Sequence, residues 1–184
     1  MSFTMEQSKT AYRADFALYG LAVVALATTL ALTAPRGAAL EVVGLTVLGL
    51  AAWTLMEYGL HRFVLHGLQP FRRWHAEHHQ RPTALIGAPT LLSATLFATL
   101  VFLPALAWGG PWRACALTLG VAAGYLIYTI THHATHHVQA ETGWLLQRRR
   151  WHLQHHQGER TSRYGVTSSL WDYAFGSAGR PGAA

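Results

Sequence analysis

The sequence predicts an all-α integral membrane protein: a bundle of about four transmembrane helices with a histidine-rich helical cap at one membrane face. Three observations predict it. Four long apolar stretches follow one another along 184 residues. Charged residues make up only 12% of the chain, where a soluble domain carries roughly 25%. All 12 histidines fall into four groups, each placed after an even-numbered stretch. A chain of this length reads as one domain, residues 1–184.

The first stretch runs from Phe16 to Ala34 and stops at Pro35-Arg36-Gly37. The second runs from about Ala38 to Leu60, the third from about Pro89 to Trp108, and the fourth from Trp112 to about Thr131. Each approaches the roughly 20 residues a helix needs to cross a bilayer. The first is too long for a signal-peptide core and reads as a retained span. Gly87, Pro89 and Pro104 read as breakers. Glu41 and Arg113 sit at segment ends. Glu57 lies deeper, one turn before His61, where an ionisable group faces the protein interior.

Basic residues set the orientation. Four spans put the N-terminus, the loop 61–88 and the C-terminal region on one side. That side carries Lys9, Arg13, Arg62, Arg72, Arg73, Arg81, Arg148, Arg149, Arg150, Arg160, Arg163 and Arg180; the other carries only Arg36 and Arg113. This places the loop and both termini in the cytoplasm, and the alanine-rich composition suggests a bacterial inner membrane. The net charge of +6 is met by anionic headgroups, and no nucleic-acid-binding signature is present. One cysteine, Cys115, excludes a disulfide framework and a four-cysteine cluster within the chain.

The histidine spacing carries the chemistry. Positions i, i+3 and i+4 share a helix face, so His75, His78 and His79 converge, and His152, His155 and His156 repeat the pattern. His132 and His136 are one turn apart, as are His133 and His137 on an adjacent face. His61 and His66 are five apart and need a helix end or distortion to converge, for which Gly67 and Pro70 are placed. Such clustering points to a metal site, imidazole being the commonest metal ligand. The ten ligands His61, His66, His75, His78, His79, His132, His136, His152, His155 and His156 exceed what one ion takes, so the site is expected to be dinuclear. His133 and His137 stand as an alternative pair or as outer partners. Imidazole suits iron, copper, nickel and zinc. Two iron ions with O₂ as co-substrate fit a nitrogen-rich site at a membrane edge, and zinc is the alternative occupant in a purified sample.

The segments EYGLHRFVLHG (57–67), WHAEHH (74–79), THHATHH (131–137), WHLQHH (151–156) and YGVTSSLWDYAFGS (164–177) together resemble the fatty acid hydroxylase superfamily. This membrane di-metal group includes sphingolipid fatty acid 2-hydroxylases, sterol C-4 methyl oxidases and sterol desaturases. The resemblance covers about residues 50–177, with 1–49 forming a tail and the first span, and is closest to the fatty acid 2-hydroxylase pattern. It implies a monooxygenase that uses O₂ and two electrons to place one oxygen in a C–H bond of a lipid or fatty acyl chain. No residue beyond the metal ligands is expected to be catalytic.

The chain shows no flavin, nicotinamide or cluster motif, so electrons are expected from an external ferredoxin or cytochrome b5 type donor. Arg72, Arg73 and Arg148–Arg150 form its candidate docking patch, with phospholipid headgroups as the competing occupant. Glu57, Glu77 and Asp172 are expected either to accept from ligand histidines or to pair with Arg62, Arg81 or Arg163. Trp74, Trp151, Trp171 and Tyr173 line the acyl entrance or form an interfacial belt. A sterol or carotenoid hydroxylase or desaturase is the alternative within the superfamily. A non-enzymatic membrane metal-binding protein is the alternative outside it.

Overall fold

A computed structural model describes residues 6–157 and 162–179; Arg160 and Arg180, used above for orientation, lie outside them. Helix α1 spans Lys9–Thr33, α2 Ala39–Gly59, α3 Phe71–Gln80, α4 Thr90–Phe97, α5 Leu103–Gly109, α6 Pro111–His137, α7 Gly143–Gln157 and α8 Leu170–Ala174. Among the described residues there is no strand, only an isolated bridge between Glu6 and Ile86. Among the described residues four helical runs are long and apolar enough to cross a membrane: Lys9–Thr33, Ala39–Leu65, Thr90–Gly109 and Pro111–His137.

The surface of those runs confirms an integral membrane protein. Leu32, Leu40, Leu91 and Trp108 are 80–96% exposed. Such a density of large bare side chains suits a helix whose solvent is lipid. The polar groups turn inward instead: Asp15, Tyr19 and Ser93 are buried.

The chain divides into two compact units, with boundaries inside α2 after Trp53 and inside α6 after Leu126. The first unit comprises Met1–Trp53 and Leu85–Leu126. Here α1 begins at Ser8, whose hydroxyl accepts from the Ala11 N–H at 3.1 Å, satisfying one of the orphan donors of a helix start. Tyr19, Trp53, Phe97 and Tyr125 form an aromatic core with ring centroids 4.4–5.9 Å apart. Tyr19 donates to Ser93 at 2.7 Å and Thr90 to Asp15 at 2.6 Å, so α1 and α4 are tied by hydrogen bonds inside an apolar setting. Gly49 of α2 and Gly120 of α6 let two backbones touch. A Cβ at Gly49 would collide with the Leu117 carbonyl, and one at Gly120 with the Thr46 carbonyl. Lipid-embedded helices associate through such small residues, because packing replaces the hydrophobic effect there.

The third span is not one regular helix. Ala98–Phe102 is a π-helical turn between α4 and α5, and the Leu103 N–H bonds to the Ala98 carbonyl. Pro104 follows immediately. Its missing N–H and ring would break an α-helical ladder at that point, and the wider turn absorbs the defect.

The second unit comprises Thr54–Ala84 and Ile127–Ala184. It contains every histidine of the chain and is taken up below.

Candidate metal centre

The unit is nucleated by what happens at the end of α2. Leu60–Leu65 continues it as a π-helix, and the His66 N–H bonds to the His61 carbonyl at 3.1 Å. This i→i+5 pattern draws residues five apart into one turn, and the His61 and His66 rings lie 5.1 Å apart. The distortion required by the five-residue spacing is therefore the π-turn itself, and Gly67 and Pro70 only follow it.

Helices α3 and α7 each deliver three rings by i, i+3, i+4 spacing, and the end of α6 delivers His132 and His136. Two sets of nitrogens result. The ligand atoms of His61, His66, His75, His79 and His155 all lie within 4.8 Å of one another, and so do those of His78, His136, His152 and His156. His132 adjoins the second set, its Nε2 being 3.0 Å from His78 Nε2. The sets meet where the His79 and His156 rings stack at 4.1 Å. His133 and His137 belong to neither set; their rings stack on each other at 4.3 Å.

The nitrogens face inward in pairs. Nε2 to Nε2 separations are 2.9 Å for His61–His75, 3.0 Å for His66–His155, 3.1 Å for His75–His79, 2.8 Å for His136–His152 and 3.1 Å for His152–His156. His61 Nδ1 lies 2.5 Å from the Tyr164 carbonyl and His155 Nδ1 lies 2.6 Å from the Ser162 carbonyl. A carbonyl only accepts, so each ring carries its proton on Nδ1 and turns a bare Nε2 lone pair toward the set. Lone pairs collected from several rings repel unless a cation stands among them. The donor chemistry therefore fits bound metal, and the separation into two sets fits two ions.

Burial keeps these rings neutral. Desolvation, then neighbouring histidines, pushes His66 and His78 down to about 3 and His156 to about 2. Desolvation likewise lowers His79 and His155 to about 4, and holds His75 and His152 well below the usual imidazole range. Neutral imidazole is the form that binds a metal.

The expected carboxylate partners are placed differently. Among the described residues neither Glu57 nor Asp172 accepts from a histidine. Buried Glu57 accepts from the Val166 and Thr167 N–H groups at 2.6 and 2.9 Å and from the Thr167 hydroxyl at 2.5 Å. Asp172, fully buried, accepts from the N–H groups of Tyr164 and Gly165 at 2.8 and 2.9 Å, the Ser177 hydroxyl at 2.8 Å and the Trp151 indole at 3.3 Å. The two carboxylates pin the loop 164–167, and that loop carries the carbonyl that orients His61. Glu77 pairs with Arg81 at 2.9 Å. Sequence reasoning missed Ser162 and Tyr164 because a backbone carbonyl acts through a group every residue has.

Arg148 departs from the expected basic patch. It is 8% exposed, its guanidinium lies 5.7 Å from the Trp151 ring, and desolvation lowers its pKa against the pull of Asp172 and Glu57. Arg72, Arg73 and Arg150 are exposed. Of the aromatic entrance candidates, Trp74 packs against Phe71 at 5.5 Å and Trp171 donates to the Thr54 hydroxyl at 2.9 Å. Trp151 and Tyr173 line a cavity of about 440 Å³.

The sequence model of one family, described as fatty acid hydroxylase, matches residues 46–177. The chain is 36% identical over 160 residues to the dihydroceramide fatty acyl 2-hydroxylase FAH2 of Arabidopsis thaliana, covering 80% of this chain and 66% of that protein. It is 34% identical to the ceramide very long chain fatty acid hydroxylase scs7 of Schizosaccharomyces pombe, covering 72% and 42%. It is 32% identical to the fatty acid 2-hydroxylase of Rattus norvegicus, covering 72% and 39%. The chain thus spans less than two thirds of the length of these relatives. A solved structure titled full length scs7p, with only the hydroxylase domain visible, superposes with a TM-score of 0.78 at 24% identity, covering 97% of this chain and 69% of that one. That likeness shows the fold.

Proposed function

Since the chain belongs to the fatty acid hydroxylase family, we propose that it is an O₂-dependent membrane hydroxylase acting on a lipid-borne fatty acyl chain, at the carbon next to the acyl carbonyl. The observation that carries the proposal is the pair of imidazole sets, each gathered within 4.8 Å and together drawn from four separate segments of the second unit. The names of the relatives, which act on fatty acyl groups and ceramides, support the acyl chain over a sterol or carotenoid.

His61, His66, His75, His79 and His155 would hold one ion; His78, His132, His136, His152 and His156 would hold the other. Two irons there would supply O₂ activation: with two external electrons and two protons from solvent, one oxygen would enter the C–H bond and the other would leave as water. The chain itself holds the rings. Tyr164 and Ser162 carbonyls fix the tautomers of His61 and His155, and Glu57 and Asp172 hold the loop that presents Tyr164. With their Nε2 lone pairs engaged by metal, the rings would offer no free base within the sets.

The asymmetry of basic residues supports a cytoplasmic face for the histidine cap, and the alanine-rich composition supports a bacterial inner membrane as its site. Exposed Arg72, Arg73 and Arg150 support an acidic electron donor docking from that side.

The test is lipid mass spectrometry of cells expressing the chain with a working reductase and donor. The expected product gains one oxygen, localised by fragmentation to the carbon beside the carbonyl, and is lost in His78→Ala. A sterol or carotenoid product would move the substrate class. Tightly bound metal without any oxygen consumption would replace the enzyme with a metal-binding protein.

A further inference from the structure

A cavity in the second unit lies outside the two histidine sets. It has a volume of about 440 Å³, and its walls include Trp151, Gln154, Arg163, Asp172, Tyr173 and Gly179. We propose that it is an anion site in which the Arg163 guanidinium binds a phosphate oxyanion, borne by a lipid headgroup or free in solution.

Arg163 is held there by its backbone. It is the one non-glycine residue with a positive φ among the described residues, at 61°, a conformation that L-residues adopt at a cost. Both neighbours are tied down, Ser162 by its carbonyl on His155 and Tyr164 by its carbonyl on His61. The Arg163 N–H itself bonds to the Ser177 carbonyl at 2.9 Å. The chain therefore spends strain to send this one side chain into the cavity. Its guanidinium lies 5.4 Å from the Trp151 ring centroid, which braces the planar fork. Gly179 also clears space for it: a Cβ there would come 2.9 Å from an Arg163 Nη nitrogen.

The cation so presented has no anion of its own. Arg163 makes no ion pair with a described residue, and its buried Nε has no hydrogen-bond partner among them. Asp172 is the carboxylate in the wall, yet its two oxygens already take four donors. Buried Arg148 adds positive charge 5.7 Å from the same indole ring. A fixed fork with free donors, aromatic backing and a polar neighbour in Gln154 is how a phosphate oxygen pair is read.

The test uses the metal-loaded full chain in neutral detergent, followed by titration calorimetry, and needs no oxygen, reductant or turnover. Three probes are added separately: inorganic phosphate, a short-chain lysophosphatidic acid and the monoacylglycerol of the same chain. Saturable binding of a phosphate-bearing probe is expected, with the monoacylglycerol failing to match it. Arg163→Gln should weaken that binding by about tenfold or more while keeping its metal. Saturation by both phosphate probes means the phosphate alone is read; lysophosphatidic acid alone points to a lipid headgroup; inorganic phosphate alone points to a soluble anion. Should Arg163→Gln not fold, Arg163→Lys, which keeps the charge and loses the fork, is expected to weaken binding in its place. Absence of saturable binding by either phosphate probe, equal binding of the monoacylglycerol, or undiminished binding in the folded variant overturns the site.

Discussion

The carbonyl oxygen of Tyr164 lies 2.5 Å from Nδ1 of His61, across 103 positions of sequence, and decides which nitrogen of that ring faces the histidine set. The carbonyl is in place because Asp172 holds the Tyr164 and Gly165 N–H groups. A residue outside both histidine sets therefore controls how one of their rings is aimed.

Asp172→Asn should uncouple that control. An amide turns one of the acceptor oxygens into a donor facing other donors, leaving buried groups unmet at about 1–3 kcal/mol each. We expect a lower thermal midpoint in detergent and reduced metal retention under mild chelation, with all ligand histidines intact. A variant that keeps full metal under the same chelator would show that the loop does not govern the ring.

His137→Ala and His155→Ala should separate members of the sets from the outlying pair. His137 stacks on His133 outside both sets, and its loss should leave the metal content measured by emission spectroscopy unchanged. His155 belongs to the first set, and its loss should remove at least that set's ion. Equal metal loss from both variants would contradict the partition.

Acid should destabilise the metal-free protein. The folded state holds His66, His78, His79, His155 and His156 at about 3, 3, 4, 4 and 2, whereas in the unfolded chain they titrate near ~6.5. Between those limits the unfolded state binds more protons, so stability is full above ~6.5 and is lost as pH falls toward the folded values. The thermal midpoint of chelator-treated protein should drop steadily from neutral pH to about pH 5. A flat or rising midpoint over that window would sink the prediction.

Arg148 and Arg72 should behave oppositely. Arg148→Gln removes a buried charge opposite Glu57 and Asp172 and is expected to cost on the order of 3 kcal/mol, read as a lower thermal midpoint. Arg72→Gln changes an exposed residue and should leave stability alone while slowing reduction by an acidic donor at low salt. Salt-independent reduction kinetics in Arg72→Gln and the parent alike would remove it from the docking surface.

Gly120→Val should loosen the first unit. The added side chain meets the Thr46 carbonyl and the α2 backbone, an overpacking cost on the order of 1–3 kcal/mol or more. Chemical crosslinks engineered between α2 and α6 would lose efficiency in this variant if the close approach is real.

Much was legible in the sequence because it is written in side chains at fixed spacings. Apolar runs as long as a bilayer is thick locate spans whatever they pack against. The i, i+3, i+4 spacing of His75, His78, His79 and of His152, His155, His156 places three rings on a face by helix geometry alone. His132 and His136 lie against rings of α3 and α7 while His133 and His137 stack on each other apart from them, since one helix face can point only one way.

Other features depended on partners distant in the chain, and no local pattern announces those. The five-residue gap between His61 and His66 said that the helix must distort but not that a π-turn does it. Glu57 and Asp172 were recognisable as buried or paired carboxylates, while their partners were set by where the loop 162–167 returns. The burial of Arg148 was hidden among three consecutive arginines that read alike. Composition and periodicity determined the helices, the apolar spans and the grouping of imidazoles, because each follows from the repeat of a single segment. Tertiary structure decided the tautomers, the division into two sets and the fate of each charge, because backbone carbonyls, desolvation and close approach exist only once separate segments meet.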